Sequence, residues 1–286
     1  MNMNLVAAEA NSVNATLRYV PTIDRSSVGF PVASLSLERF GLKFTSGGAH
    51  ISRTMMLVEL GAVLAAVPQG SSVGEYREAI LQRNILGKTT DSTRKESLRR
   101  LRELHALDEA TPIFALLRTL YAIDAASLPL LALQVAWGRD PLLRATAPAV
   151  LGVSEGERVE TDTLARAVEA AFPDQYSEKS RNQTARHAAS TWTQSGHLAG
   201  RAKKIRQRAR PTVVAVTMAF VLGDVAGYHG AAVFANPWCR LLDLNPDRAR
   251  AVGFEAHRAG LINQRAVGEV VEVSFPLFTE LLDRPR

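Results

Sequence analysis

Two stretches of this chain, 128–137 and 213–222, are almost wholly apolar, yet each ends after ten residues, about half of the roughly 20 that a helix needs to cross a bilayer. Asp124, Arg139, Arg210 and Asp224 bound them. A helix with no polar face has to be enclosed by other elements, so both are expected at the centre of a mainly α, multi-helix bundle, with no membrane partner. The 286 residues, 47% of them hydrophobic, are enough to build such a core. Mean hydropathy is −0.02, ordinary for a globular chain. Residues 1–16 lack the basic and apolar regions of a secretory leader, and a lone cysteine, Cys239, excludes an internal disulfide framework. Both suit a reducing, cytoplasmic setting.

Punctuation along the chain divides it. Residues 1–40 hold β-prone pieces at 16–20 and 33–37 and read as an N-terminal arm. From Ser46 the pattern turns helical through Ile51, Met55, Val58, Leu60, Val63 and Leu64, ending before Pro68. A short helix follows Ser71 and Ser72. Thr89, Thr90 and Asp91 then cap a longer one through Leu98, Leu101, Leu104 and Leu107. Thr111-Pro112 opens another, 127–136 is its partner, and the helix begun at Asp140-Pro141 must end or kink at Pro148. The polar, glycine-containing stretch 152–160 separates a helical domain at 41–152 from a module at 153–211. Residues 212–286 read as a C-terminal helical region, in which the strand 269–275 pairs with 261–265 as a short β wing.

Charge is the second constraint. Residues 179–223 contain no Asp or Glu but carry Lys179, Arg181, Arg186, Arg201, Lys203, Lys204, Arg206, Arg208 and Arg210, so the net charge of +6 traces to this region. A localised basic run is the footprint of a polyanion partner. The order of 162–211, helix, tight turn, helix and glycine-flanked basic segment, matches a winged helix-turn-helix. On its second helix Ala185, Ala188, Ala189 and Trp192 face the core, while Lys179, Asn182, Gln183, Arg186, Ser190 and Thr193 face outward. Arg suits guanine edges and Asn or Gln adenine edges, and 201–210 supplies phosphate contacts as a wing. A solvated basic helix is the alternative, but such faces normally mix signs. A second basic helix carries Arg94, Lys95, Arg99, Arg100 and Arg102, preceded by Lys88. Glu96 and Glu103 can neutralise it locally, so there a solvated face and a contact surface stand level.

Signs of chemistry are missing. Gly87-Lys88-Thr89 resembles the end of a phosphate-binding loop, but Gln82 stands where the motif needs glycine. The six histidines have no metal-ligand spacing, Ser195-Gly196-His197 is no nucleophile elbow, and no acidic cluster suggests a two-metal centre. The expectation is a non-enzymatic binding protein without a cofactor. Trp137, Trp192 and Trp238 occur singly, whereas a single-strand platform presents several aromatics.

Several ordered segments are similar to the BrxA family of BREX bacteriophage-exclusion systems: Phe44-Thr45-Ser46-Gly47-Gly48, the stretch from Leu86 through Lys88, Thr90 and Asp91 to Lys95, Trp137-Gly138-Arg139-Asp140-Pro141, Ser177-Glu178-Lys179-Ser180 with Thr184, and 222–230. Together they cover roughly residues 41 to 245, and their order carries more specificity than any one of them. The resemblance implies a bacterial, helical, non-enzymatic DNA-binding component of a phage-defence locus, with helix-turn-helix modules, a part likened to the antitermination factor NusB, and other BREX subunits as further partners. Double-stranded DNA, held mainly through phosphates with low to modest sequence specificity, is the expected ligand. A NusB-like RNA-binding factor and a scaffold docking acidic subunits are the alternatives.

Overall fold

The computed structural model describes residues 23–24, 29–267 and 270–282. The β-prone piece at 16–20 lies outside them. In chain order the elements are β1 (Ile23–Asp24), β2 (Phe30–Pro31), α1 (Leu35–Phe40), α2 (Leu57–Ala66), α3 (Val73–Leu81), α4 (Asp91–His105), α5 (Pro112–Ile123), α6 (Leu128–Arg139), α7 (Pro141–Ala145) and α8 (Ala147–Leu151). There follow β3 (Arg158–Val159), α9 (Thr161–Ala171), α10 (Glu178–Gln194), β4 (Leu198–Ala199), β5 (Lys204–Arg206), α11 (Val213–Val225), α12 (Pro237–Leu241), α13 (Pro246–Arg258), β6 (Asn263–Val267), β7 (Val270–Ser274) and α14 (Thr279–Leu282). The protein is mainly helical, and the expected caps hold. Thr90 accepts from Thr93 N to start α4, Ser72 and Glu75 form a reciprocal capping box on α3, and α5 begins at Pro112.

The two all-round apolar helices, α6 and α11, lie against each other and against α5 at the centre, and nearly every residue of each is buried. One continuous cluster of buried side chains runs from Phe30 to Phe278 through all the expected segments. Polar side chains inside it have backbone work to do. Arg118 donates to Leu64 O and Val67 O at 2.8 Å, satisfying carbonyls that the end of α2 leaves open. Asn236 caps α12 and also donates to Ala219 O on α11 at 3.0 Å. The three tryptophans are buried. Trp137 and Trp238 meet edge to face at 5.6 Å, with Phe30 packed onto both.

Three local expectations change. Residues 33–37 are not a strand: Ser34 caps α1, Gly41 ends it in the left-handed region, and Leu37 and Phe40 fill the core. The helix expected from Ser46 is interrupted, leaving a 3-10 turn at Ala49–Ile51 and α2 only from Leu57. Distant side chains take the amides that a continuous helix would use, since His50 N donates to Asp140 Oδ2 and Met55 N to Thr191 Oγ1. Val58, assigned to the buried stripe, is consequently 79% exposed. The 152–160 stretch contributes β3 to a sheet. The C-terminal strand does pair, but with Asn263–Val267 rather than 261–265 as its antiparallel partner.

Buried histidines make the fold acid-sensitive. His105 donates Nε2–H to Met55 O at 2.8 Å, and burial pushes its pKa down to about 4; burial does the same to His197. Both bind a proton more readily unfolded than folded between pH 6.5 and 4, so their stabilising effect is complete above pH 6.5 and shrinks as pH falls through that window. Urea unfolding at pH 7 and 5.5 should differ by about 1 kcal/mol for each histidine, roughly 2–3 together. A urea midpoint that does not move would contradict neutral, buried imidazoles.

Candidate nucleic-acid interface

The basic residues of the run, 179–210, fold in one unit with α9. Val159, Leu164, Val168, Ala185, Ala188, Ala189 and Trp192 are buried beneath it, the alternation of small and large residues that lets the two helices approach closely. The 172–177 turn joins them, Ser177 caps α10 by accepting from Ser180 N, and Phe172 and Tyr176 meet edge to face at 5.9 Å. A three-stranded antiparallel sheet in the order β3-β5-β4 closes the unit, with Arg158 opposite Ile205 and Leu198 opposite Arg206. The 200–203 turn is tight because Gly200 sits at φ +93, where a Cβ would run into Lys203 O.

Lys179, Asn182, Gln183, Arg186, Ser190 and Thr193 fall within an arc of about 100° on α10. All six are exposed or partly so. The flank of α10 beside this arc is fixed from behind. His50 donates Nδ1–H to Asp140 Oδ2 at 2.8 Å, which leaves Nε2 to accept from Thr191 Oγ1 at 2.8 Å, and His187 reaches His50 O at 2.9 Å. Asp140 also caps α7. Burial opposes ionisation of its carboxyl, but His50 and the Leu143 amide hold it below the usual range. The helix is thus clamped to the body with one face free. Lys204 links that face to the turn, its Nζ lying 2.9 Å from Thr193 Oγ1 and 2.8 Å from Gly200 O.

The expected cations divide sharply by environment. Lys179, Arg186, Arg201 and Lys203 are exposed and form no ion pair among the described residues, and Arg210 likewise has none. Arg206 corrects the reading of 201–210 as one contact strip: it is 2% exposed and paired with Asp243. Arg181 is spent on Glu169 at 2.6 Å and on Tyr176 O, bracing the 172–177 turn. Arg208 faces Glu155 at 3.8 Å. Arg208 and Arg210 follow β5, at the far end of that strand from the 200–203 tip. On α4 the balance falls to local neutralisation. Lys88 pairs with Glu59, Lys95 with Asp91, and Arg99 and Arg100 with Glu96, while Arg94 donates to Leu81 O.

Arg53 was not legible as part of this face. It is exposed on the 52–56 segment, and its charge, with that of Arg186, adds to burial in lowering the pKa of His187. Only the clamp on α10 brings it there. Cys239 is buried and burial pushes its thiol upward. No described helix is long and apolar enough to cross a membrane. The architecture is thus that of a mainly helical protein in which a small sheet closes a helix pair whose second member, α10, is basic. No protein-family model matches the chain, and no curated protein matches it.

Proposed function

We propose that β3, α9, α10, β4 and β5 form a winged helix-turn-helix that binds double-stranded DNA without catalysing a reaction, with α10 in the major groove and the 200–203 turn on the phosphate backbone. One observation carries the reading: Lys179, Arg186, Arg201 and Lys203 lie without acidic partners among the described residues, on a face made continuous by the Thr193–Lys204–Gly200 contacts. Asn182 and Gln183 on the same face have the donor and acceptor pair that reads adenine, and the cations would supply the phosphate contacts. The ordered segments similar to the BrxA family support a cytoplasmic role for this DNA-binding unit in a phage-exclusion system, beside other subunits of that system.

The test is fluorescence anisotropy on a labelled duplex across a salt series, with RNA of equal length as competitor. Four to six phosphate contacts predict a slope of about −4 to −5 in log K against log salt, and weak displacement by RNA. Displacement by RNA as effective as by duplex would transfer the surface to a NusB-like RNA-binding role. Absence of binding at about 0.15 M salt would leave docking to acidic protein subunits.

A further inference from the structure

A second basic feature lies away from α10, in a cleft of about 610 Å³ walled by α3, α4, the start of α5 and the end of α6. Its cations are Lys43, Arg77, Lys95, Arg99, Arg102 and Arg139, and Leu81 and Leu98 supply an apolar wall. The two lining acids are engaged elsewhere. Glu103 pairs with Arg100 at 2.9 Å, and Asp108 accepts from Ala110 N. Lys95 and Arg99 hold only exposed pairs on their own helix, which contribute little and exchange readily for a better anion. Arg77 and Arg102 are exposed and form no ion pair among the described residues.

Arg139 distinguishes this cleft from an ordinary basic surface. It is 7% exposed, it donates to the carbonyls of Gly41 and Arg102, and its Nε has no acceptor. No carboxylate pairs with it among the described residues. Burial drops its pKa to about 10, and Lys43 is lowered by burial and then by the charge of Arg139. Glu103 offsets part of the charge on both and Asp140 part of that on Lys43, but neither cation forms an ion pair among the described residues; two such cations side by side are costly, and an anion in the cleft relieves that cost.

We propose that this cleft binds a polyphosphorylated ligand of nucleotide size, its phosphates on Lys43, Arg77, Arg102 and Arg139 and its flat apolar part against Leu81 and Leu98. The volume suits a small molecule rather than a flat duplex footprint, and the excess of cations over acids suits two to four negative charges. This cleft is distinct from Gly87-Lys88-Thr89, and the proposal stands whether or not α10 binds DNA.

Isothermal titration calorimetry with ATP, GTP, inorganic pyrophosphate and a short 5′-phosphorylated single strand tests it. The expected result is saturable nucleotide binding in the range of about 10 μM to 1 mM, weaker binding of pyrophosphate, and a loss of at least about tenfold in an Arg77→Ala/Arg102→Ala double variant. Both residues are exposed, so the variant should fold, and its duplex affinity should be unchanged. No heat with any nucleotide, or nucleotide binding indifferent to the double variant, overturns the site. Tighter binding of the single strand than of any nucleotide overturns the small-ligand assignment.

Discussion

Asp243→Asn should destabilise the protein by about 3 kcal/mol or more at pH 7, because it strips the counter-charge from a buried arginine. Arg206 is 2% exposed. Its Nη2 donates to Asp243 Oδ1, its Nη1 reaches the carbonyls of Gln207 and His197, and its Nε has no acceptor. Asp243 also accepts from Ala209 N at 2.8 Å and stands 3.9 Å from His197 Nε2. Asn keeps the shape and tolerates the left-handed backbone at this position, φ 59, so the loss isolates charge from backbone strain. The pair ties β5 to the loop before α13, so the hairpin should loosen as well. Urea unfolding checks the magnitude, and an Arg206→Met/Asp243→Asn double variant should recover most of the loss, since removing both charges removes the uncompensated one. A single variant as stable as the parent would mean that the pair is not closed off from water.

Replacing Lys179, Arg186, Arg201 and Lys203 together by Gln should weaken duplex binding by about 10²–10³-fold at 0.15 M salt and make the salt slope shallower by about 3–4 units, one contact for each lost cation. All four are exposed and without ion pairs among the described residues, so each change should alter stability by no more than about 0.5 kcal/mol, and the loss reads on binding alone. Substituting Asn182 and Gln183 asks a separate question. If they read bases, affinity falls on some sequences and not on others; a uniform fall would leave them as backbone contacts. An unchanged slope in the quadruple variant would remove α10 and the 200–203 turn from the interface. Including Arg206 in such a set would confuse the result, because its loss acts through stability.

Helix by helix, the pattern of apolar residues and caps was legible. Ser72, Thr90 and Thr111-Pro112 act within one turn of themselves, and local chemistry is what a linear reading resolves. The same holds for the outward face of α10, since a 3.6-residue period assigns Lys179, Asn182, Gln183 and Arg186 to one side without knowledge of any neighbour. The β3 strand and the break at 52–56 were not legible, because their causes, pairing with Lys204 and Ile205 for the one and Thr191 and Asp140 for the other, lie tens of residues away.

Charge shows the division most plainly. Nine basic residues in an acid-free run predict a positive region whatever the fold, since net charge adds along a chain irrespective of shape. Which of the nine face solvent depends on acids from elsewhere: Asp243 takes Arg206, Glu169 takes Arg181 and Glu155 faces Arg208, leaving Lys179, Arg186, Arg201, Lys203, Lys204 and Arg210 without an ion pair among the described residues. The cleft around Arg139 follows the same logic, gathering Lys43, Arg77, Arg102 and Arg139 from four separate segments. Coulombic pairing and burial act through space over a few ångströms, so only the packed chain decides which charges are silenced and which remain to meet a ligand.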